Sequence, residues 1–178
     1  EEDVDGREHG PGKQPGGRAG LSELLQIRRD KLTALQQEGS DPFEVTVSRR
    51  DTLAQEIRDN FETLENKDVC IAGRIMSWRD MGKARFIDIH DRSGRMQVYI
   101  RINDIGEEAY ANMSKWDIGD ILEVTALIPH APGEISVHAK EVTLLAKSLL
   151  PLPDKFHGLK DTDLRYRQRY VDLMVNPE

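Results

Sequence analysis

Apolar residues in this chain follow two different periods. Between Val69 and Arg101, in VCIAGRIMSWRDMGKARFIDIHDRSGRMQVYIR, they fall in three short runs, separated by Arg79-Asp80-Met81-Gly82-Lys83 and by Asp91-Arg92-Ser93-Gly94-Arg95, both of turn composition. Such runs predict strands, in which successive side chains point to opposite faces. Ile87 and Ile89 then share one face of the second strand, and Phe86, Asp88 and His90 the other. In the third, Met96, Val98 and Ile100 lie opposite Gln97, Tyr99 and Arg101. The aliphatic faces are the predicted core.

Outside this stretch the spacing changes to threes and fours. Leu21, Leu24, Leu25, Arg28, Leu32 and Leu35 form one stripe of a helix predicted over residues 21–38, which Gly39 and Pro42 stop. Arg28, Arg29 and Lys31 on that helix fit a solvated face better than phosphate contacts. Thr52-Leu53-Ala54-Gln55 has capping-box spacing and opens a second helix with Leu53, Ile57, Phe61 and Leu64 on one side. After the third strand, Ile105, Ala109, Met113 and Trp116 predict a short amphipathic helix. Asp117-Ile118-Gly119-Asp120 then turns into a fourth strand (121–128), and a polar hairpin tip (129–134) leads into a long fifth one (135–147). Three strands, a helix and two more strands is the order of a five-stranded OB-fold Greek-key barrel, whose faces and hairpin loops bind oligonucleotides. The predicted class is mainly β with flanking helices (α+β), the barrel preceded by N-terminal helices. Residues 1–20, rich in glycine and almost without apolar side chains, read as a disordered tail. Residues 21–66 read as a helical extension and 67–148 as the barrel. Residues 149–178 read as a linker and a last helix with Tyr166, Tyr170, Leu173 and Met174 on its apolar edge. That helix has little to pack against, and the chain looks truncated after it.

Charge and composition narrow what the polar faces do. The 178 residues suffice for a real core, and a net charge of -7 argues against a general polyanion binder. Residues 74–101 nevertheless hold seven basic residues (Arg74, Arg79, Lys83, Arg85, Arg92, Arg95, Arg101) against three acidic ones (Asp80, Asp88, Asp91). Nucleic-acid contact is therefore expected to be local and selective. Phe86, a large aromatic beside Gln97, Tyr99 and several arginines, suits a platform for single-stranded nucleic acid, with rings to stack bases and cations for phosphates. The alternative is that a helix or loop covers its ring. Cys70 is the only cysteine, which excludes an internal disulfide and a multi-cysteine metal site. The histidines are scattered, and His90 and His138 read as strand-face residues rather than ligands. Without a Gly-rich phosphate cradle, a metal-ligand cluster or a nucleophile paired with a base, no catalytic residue, metal or cofactor is assigned to this chain. No hydrophobic run approaches the length of a membrane span, and the acidic, hydrophilic N-terminus is no signal peptide, so a cytoplasmic protein is expected.

Several stretches together resemble one family. Residues 79–86, Gly94-Arg95-Met96-Gln97-Val98-Tyr99, Lys115-Trp116-Asp117-Ile118-Gly119-Asp120, Gly133-Glu134-Ile135-Ser136 and above all LPDKFHGLKDTDLRYRQRYVDLMVN are similar to the N-terminal region of bacterial-type lysyl-tRNA synthetases. The likeness runs from about Leu21 to the last residue. Its earlier parts are shared with aspartyl- and asparaginyl-type relatives, and residues 154–174 are specific to the lysyl branch. The resemblance implies an OB-fold anticodon-binding domain for the uridine-rich anticodon loop of lysine tRNA. In it Phe86 would stack on the central base, Arg79 and Gln97 would contact the edge of that base, and Glu134 a neighbouring base. Arg74, Lys83, Arg95 and Arg101 are the candidate contacts to the RNA backbone. The chemistry agrees, since uracil offers carbonyl acceptors to Arg79 and Gln97 and a ring N–H to a carboxylate. The resemblance also implies a homodimeric parent enzyme that uses ATP and Mg2+ to attach lysine to tRNA, its class II catalytic core following Glu178. A free-standing OB-fold module for other single strands or a protein partner is the alternative. Two departures stand out. Arg85 occupies a position where the family commonly has a small residue, and is expected at the barrel interior or rim. The tip Ile128-Pro129-His130-Ala131-Pro132-Gly133 replaces a basic, threonine-containing hairpin.

Overall fold

A computed structural model describes residues 18–130, 134–153 and 162–176. The predicted disordered tail lies outside them except for its last three residues, which are helical, and so do tip residues 131–133 and the family stretch 154–161. The first helix, α1 (Arg18–Gln37), uses only part of its stripe: Leu35 is buried and Leu25 and Leu32 partly so, while Leu21 and Leu24 are half exposed. Two of its basic residues, Arg28 and Lys31, correct the expectation of a solvated face, while Arg29 is exposed as expected. Arg28 donates to the Ser148 carbonyl at 2.6 Å and Lys31 pairs with Asp117 at 2.6 Å, fastening α1 to the barrel. The same knot contains Lys147, whose fully buried ammonium lies 2.5 Å from Asp117 and 2.7 Å from Asp120. A buried ammonium is tolerable only with such partners.

The next helices, α2 (Ala54–Asp59) and α3 (Phe61–Leu64), are short. The capping box predicted from Thr52 is not the one that forms. Thr52 donates its hydroxyl to Asp51, and half a box sits one residue on, where Glu56 accepts from the Leu53 N–H at 2.6 Å. Two more orphan N–H groups find distant acceptors: Ala54 donates to Asp91 Oδ2 at 2.8 Å and Gln55 to Ser93 Oγ at 3.0 Å. A turn of the barrel thereby caps a helix that delivers Ile57 into the core.

The barrel strands are β1 (Asp68–Asp80), β2 (Ala84–His90), β3 (Arg95–Arg101), β4 (Ile121–Leu127) and β5 (Ser136–Ala146), closed in the order β1-β2-β3-β5-β4. Closure rests on the length of β1, which pairs with β4 through Asp68–Arg74 and with β2 through Arg74–Asp80, bending at a register shift between Ile75 and Ser77. Gly73 precedes that bend, where β1 passes from β4 to β2 and a Cβ would lie 2.8 Å from the His90 carbonyl oxygen. The predicted alternation holds: Ile87, Ile89, Met96, Val98 and Ile100 are buried and join Ile71, Ile75, Leu122, Val124 and Val137 in one core. Strand β3 meets β5 in parallel and every other pairing is antiparallel, as an OB barrel requires.

Between β3 and β4 the single helix predicted over residues 105–116 is instead broken into pieces. α4 (Ile102–Ile105) leaves β3 directly, Gly106 at φ 89° ends it, and α5 (Glu107–Asn112) runs into a 3-10 turn, Met113–Lys115. Only glycine adopts that φ at little cost, so the break is written at Gly106. Arg85 does reach the rim. Its guanidinium lies 4.2 Å from the Tyr110 ring centroid and 5.3 Å from that of Trp78, pairs with Asp80 at 2.6 Å and donates to the Tyr110 carbonyl at 3.0 Å. Near the C-terminus, α6 (Thr162–Arg167) and α7 (Arg169–Val175) divide the predicted last helix at Gln168. Asp172 is buried there under Arg165, Arg169 and Asn176, while Tyr166, Tyr170 and Leu173 are exposed.

Candidate nucleic-acid interface

The outer face of β2, β3 and β5 carries a row of rings. Phe86 on β2 is the register partner of Tyr99 on β3, and Tyr99 that of His138 on β5. Their centroids are 4.7 Å apart for Phe86 and Tyr99 and 5.0 Å for Tyr99 and His138, the planes tilted by 32° and 60°. Phe86 is half-buried and outside the apolar core, so the ring stands on the polar face. Two of the three rings bear a cation. Arg79, the partner of Phe86 on β1, is exposed with its guanidinium carbon 5.8 Å from the Phe86 centroid, and that of Arg101 is 6.0 Å from the Tyr99 centroid. Facing rings topped by guanidinium groups can hold a flat base and its phosphate together.

Hydrogen-bonding groups flank the row. Gln97 lies two residues before Tyr99 on the same strand, directly across from Asp88, so its amide sits diagonal to the Phe86 ring. Glu134, just before β5, extends the parallel register of Gln97 with Ser136 and stands level with Arg95, to which it is bonded at 3.0 Å. Phe86, Arg79, Gln97 and Glu134 thus occupy one face.

The four candidate backbone cations are placed differently. Lys83 is exposed at the turn before β2, and Arg101 holds Asp104 through two bonds of 2.7 and 3.0 Å beside the ring row. Arg95 lies between Asp88 and Glu134. Arg74 is apart from the row, across from His90, and donates to the Gly119 carbonyl at 2.6 Å. Its burial lowers its pKa from the ordinary arginine value, partly offset by Asp120.

Reasoning from residue types missed His138 as part of this face. Its pKa is lowered first by burial and then by Arg101, which favours the neutral ring that stacks without an added charge. Among the described residues, no three His, Cys, Asp or Glu side chains are grouped so as to hold a metal ion, and no helix is long and apolar enough to cross a membrane.

Comparison with known proteins agrees with this geometry. Residues 69–145 match a family described as an OB-fold nucleic acid binding domain. The lysine-tRNA ligase of Clostridium tetani (strain Massachusetts / E88) is 54% identical over 159 residues, covering 89% of this chain and 32% of that protein. The lysine-tRNA ligase of Clostridium botulinum (strain Langeland) is 52% identical over 88% of this chain and 31% of its own length, and that of Clostridium novyi (strain NT) 50% identical over 90% and 32%. The chain spans about a third of the length of these relatives. Over that third it is similar to lysine-tRNA ligases, and its barrel has the OB fold of the matched family.

Proposed function

We propose that this chain is the anticodon-reading part of a lysine-tRNA ligase, and that its outer barrel face selects the uridine-rich anticodon loop of lysine tRNA. The observation that carries the reading is the half-buried Phe86 ring, with Arg79 over it and Gln97 and Glu134 on the same face. Phe86 stacks on the central base. Arg79 and Gln97 donate to its carbonyl edge, and Glu134 accepts from the ring N–H of a neighbouring uracil, which cytosine lacks. Lys83 and Arg101 are placed for the phosphates, and Tyr99 and His138 continue the stacking row.

In the same reading residues 21–66 brace the barrel formed by 67–148, and 149–178 lead toward a catalytic part that uses ATP and magnesium. The parent is a cytoplasmic homodimer that attaches lysine to its tRNA. The described residues offer no donor set for magnesium, and no step in this chain passes through either group. Identity spread over nearly nine-tenths of the chain, helices included, supports a ligase segment over a free-standing module.

The test is a titration of the protein with a lysine-tRNA anticodon stem-loop and with the same stem-loop carrying cytidines in place of the loop uridines. Tighter binding of the uridine loop is expected, and equal affinity would contradict the reading.

A further inference from the structure

We propose that Arg95 is a positioning residue for Glu134, itself fixed by Asp88, and that this relay sets the preference for uracil over cytosine. The inference rests on the anticodon reading above. It assigns Arg95 a task other than the phosphate contact its charge suggests.

Asp88 is the anchor. Its side chain is only 13% exposed, Oδ2 accepts from the Ser77 hydroxyl, and Oδ1 lies 3.1 Å from Arg95 Nε. Arg95 is held from a second side, because the Arg58 guanidinium donates to its carbonyl oxygen. From this seat Arg95 Nη2 reaches Glu134 Oε1 at 3.0 Å, in line with the β3–β5 register. Glu134 is otherwise open to solvent, with its side chain 68% exposed and no partner for Oε2 among the described residues.

An ion pair this exposed adds little to stability. What it does is select one rotamer of a long acidic side chain and aim its second oxygen, so the ordering cost is met before a base arrives. A carboxylate oxygen aimed at the base accepts the ring N–H of uracil and repels the ring nitrogen lone pair of cytosine. Placed between two carboxylates, the guanidinium is neutralised locally and is a poor partner for phosphate.

The test uses the whole chain with Arg95→Gln, Arg95→Lys, Asp88→Asn and Glu134→Gln, each titrated with the uridine and cytidine stem-loops over a range of salt. Arg95→Gln is expected to lower the uridine preference by about tenfold, the scale of one charge-assisted hydrogen bond, with its salt dependence unchanged. Asp88→Asn should reproduce that loss, and Arg95→Lys should restore part of the preference. Glu134→Gln, on an exposed side chain that does not support the fold, must show the same loss. Equal weakening of both loops by Arg95→Gln, with a salt slope shallower by about 0.7, would make Arg95 a phosphate contact and overturn the proposal. A wild-type preference that survives Arg95→Gln or Asp88→Asn overturns it alone, and one that survives Glu134→Gln also removes Glu134 from the anticodon reading. A wild-type protein with no preference overturns the anticodon reading as well.

Discussion

Phe86 and Tyr99 face each other across β2 and β3 with ring centroids 4.7 Å apart, and their neighbours Ile87 and Val98 are paired on the opposite side of the same strands. One pair belongs to the barrel core and the other stands outside it. Substitutions on the two sides should therefore separate stability from binding.

Ile87→Ala tests the inner side. It removes a fully buried side chain from a closed barrel, at a cost of about 2 to 5 kcal/mol. Thermal denaturation should show a clear fall in melting temperature, while the fraction that stays folded binds the stem-loop with unchanged affinity.

The distant cap on α2 gives a second prediction. Asp91→Ala removes the acceptor of the Ala54 N–H and should cost about 1 to 2 kcal/mol, whereas Thr52→Ala should be almost neutral. Chemical denaturation of the two variants checks the contrast.

Asp91 also ties stability to pH. Burial opposes its charge, but bonds from Ser93 and from the N–H groups of Ala54, Ser93 and Gly94 prevail and hold its pKa below the ordinary 3.8. A depressed carboxyl contributes stability above its unfolded-state value and loses it as the pH falls through the folded value. Denaturation midpoints should therefore fall as the pH drops below 3.8, and Asp91→Asn should flatten that dependence.

His138 supplies a prediction of the opposite charge type. Burial and then Arg101 disfavour its protonation, so its imidazole resonances should titrate below the ordinary histidine value. Arg101→Ala should move that midpoint upward, as followed by NMR. The neutral form is the one the fold favours, so this group costs stability as the pH falls below its unfolded-state value.

Why His138 escaped the reading of the sequence is a matter of range. Alternation places Phe86, Gln97 and Tyr99 on one face because it acts within a strand, and it also yields the core residues of β2 and β3. The meeting of Tyr99 with His138 depends on the parallel register of β3 with β5, strands joined through two helices and β4. The cap of α2 by Asp91, 37 residues away, is equally non-local, and Thr52 offered a local answer that the fold did not use. Arg28 and Lys31 fit a solvated helix face until Ser148 and Asp117 arrive beside them. The break at Gly106 was legible, since a glycine inside a helical pattern marks a place where one helix can end.

The central claim is that the outer face, led by Phe86, reads RNA, and Phe86→Ala tests it most directly through paired thermal melts and stem-loop titrations. The variant should lose a stacking contact worth about 1 to 3 kcal/mol, so affinity should fall roughly ten- to a hundredfold. Its melting temperature should move little, because the ring packs on Tyr99 and not in the core. Gln97→Ala beside it should lose discrimination among loop bases more than stability. A Phe86→Ala protein that melts far earlier yet binds the stem-loop as tightly as the wild type would contradict the account.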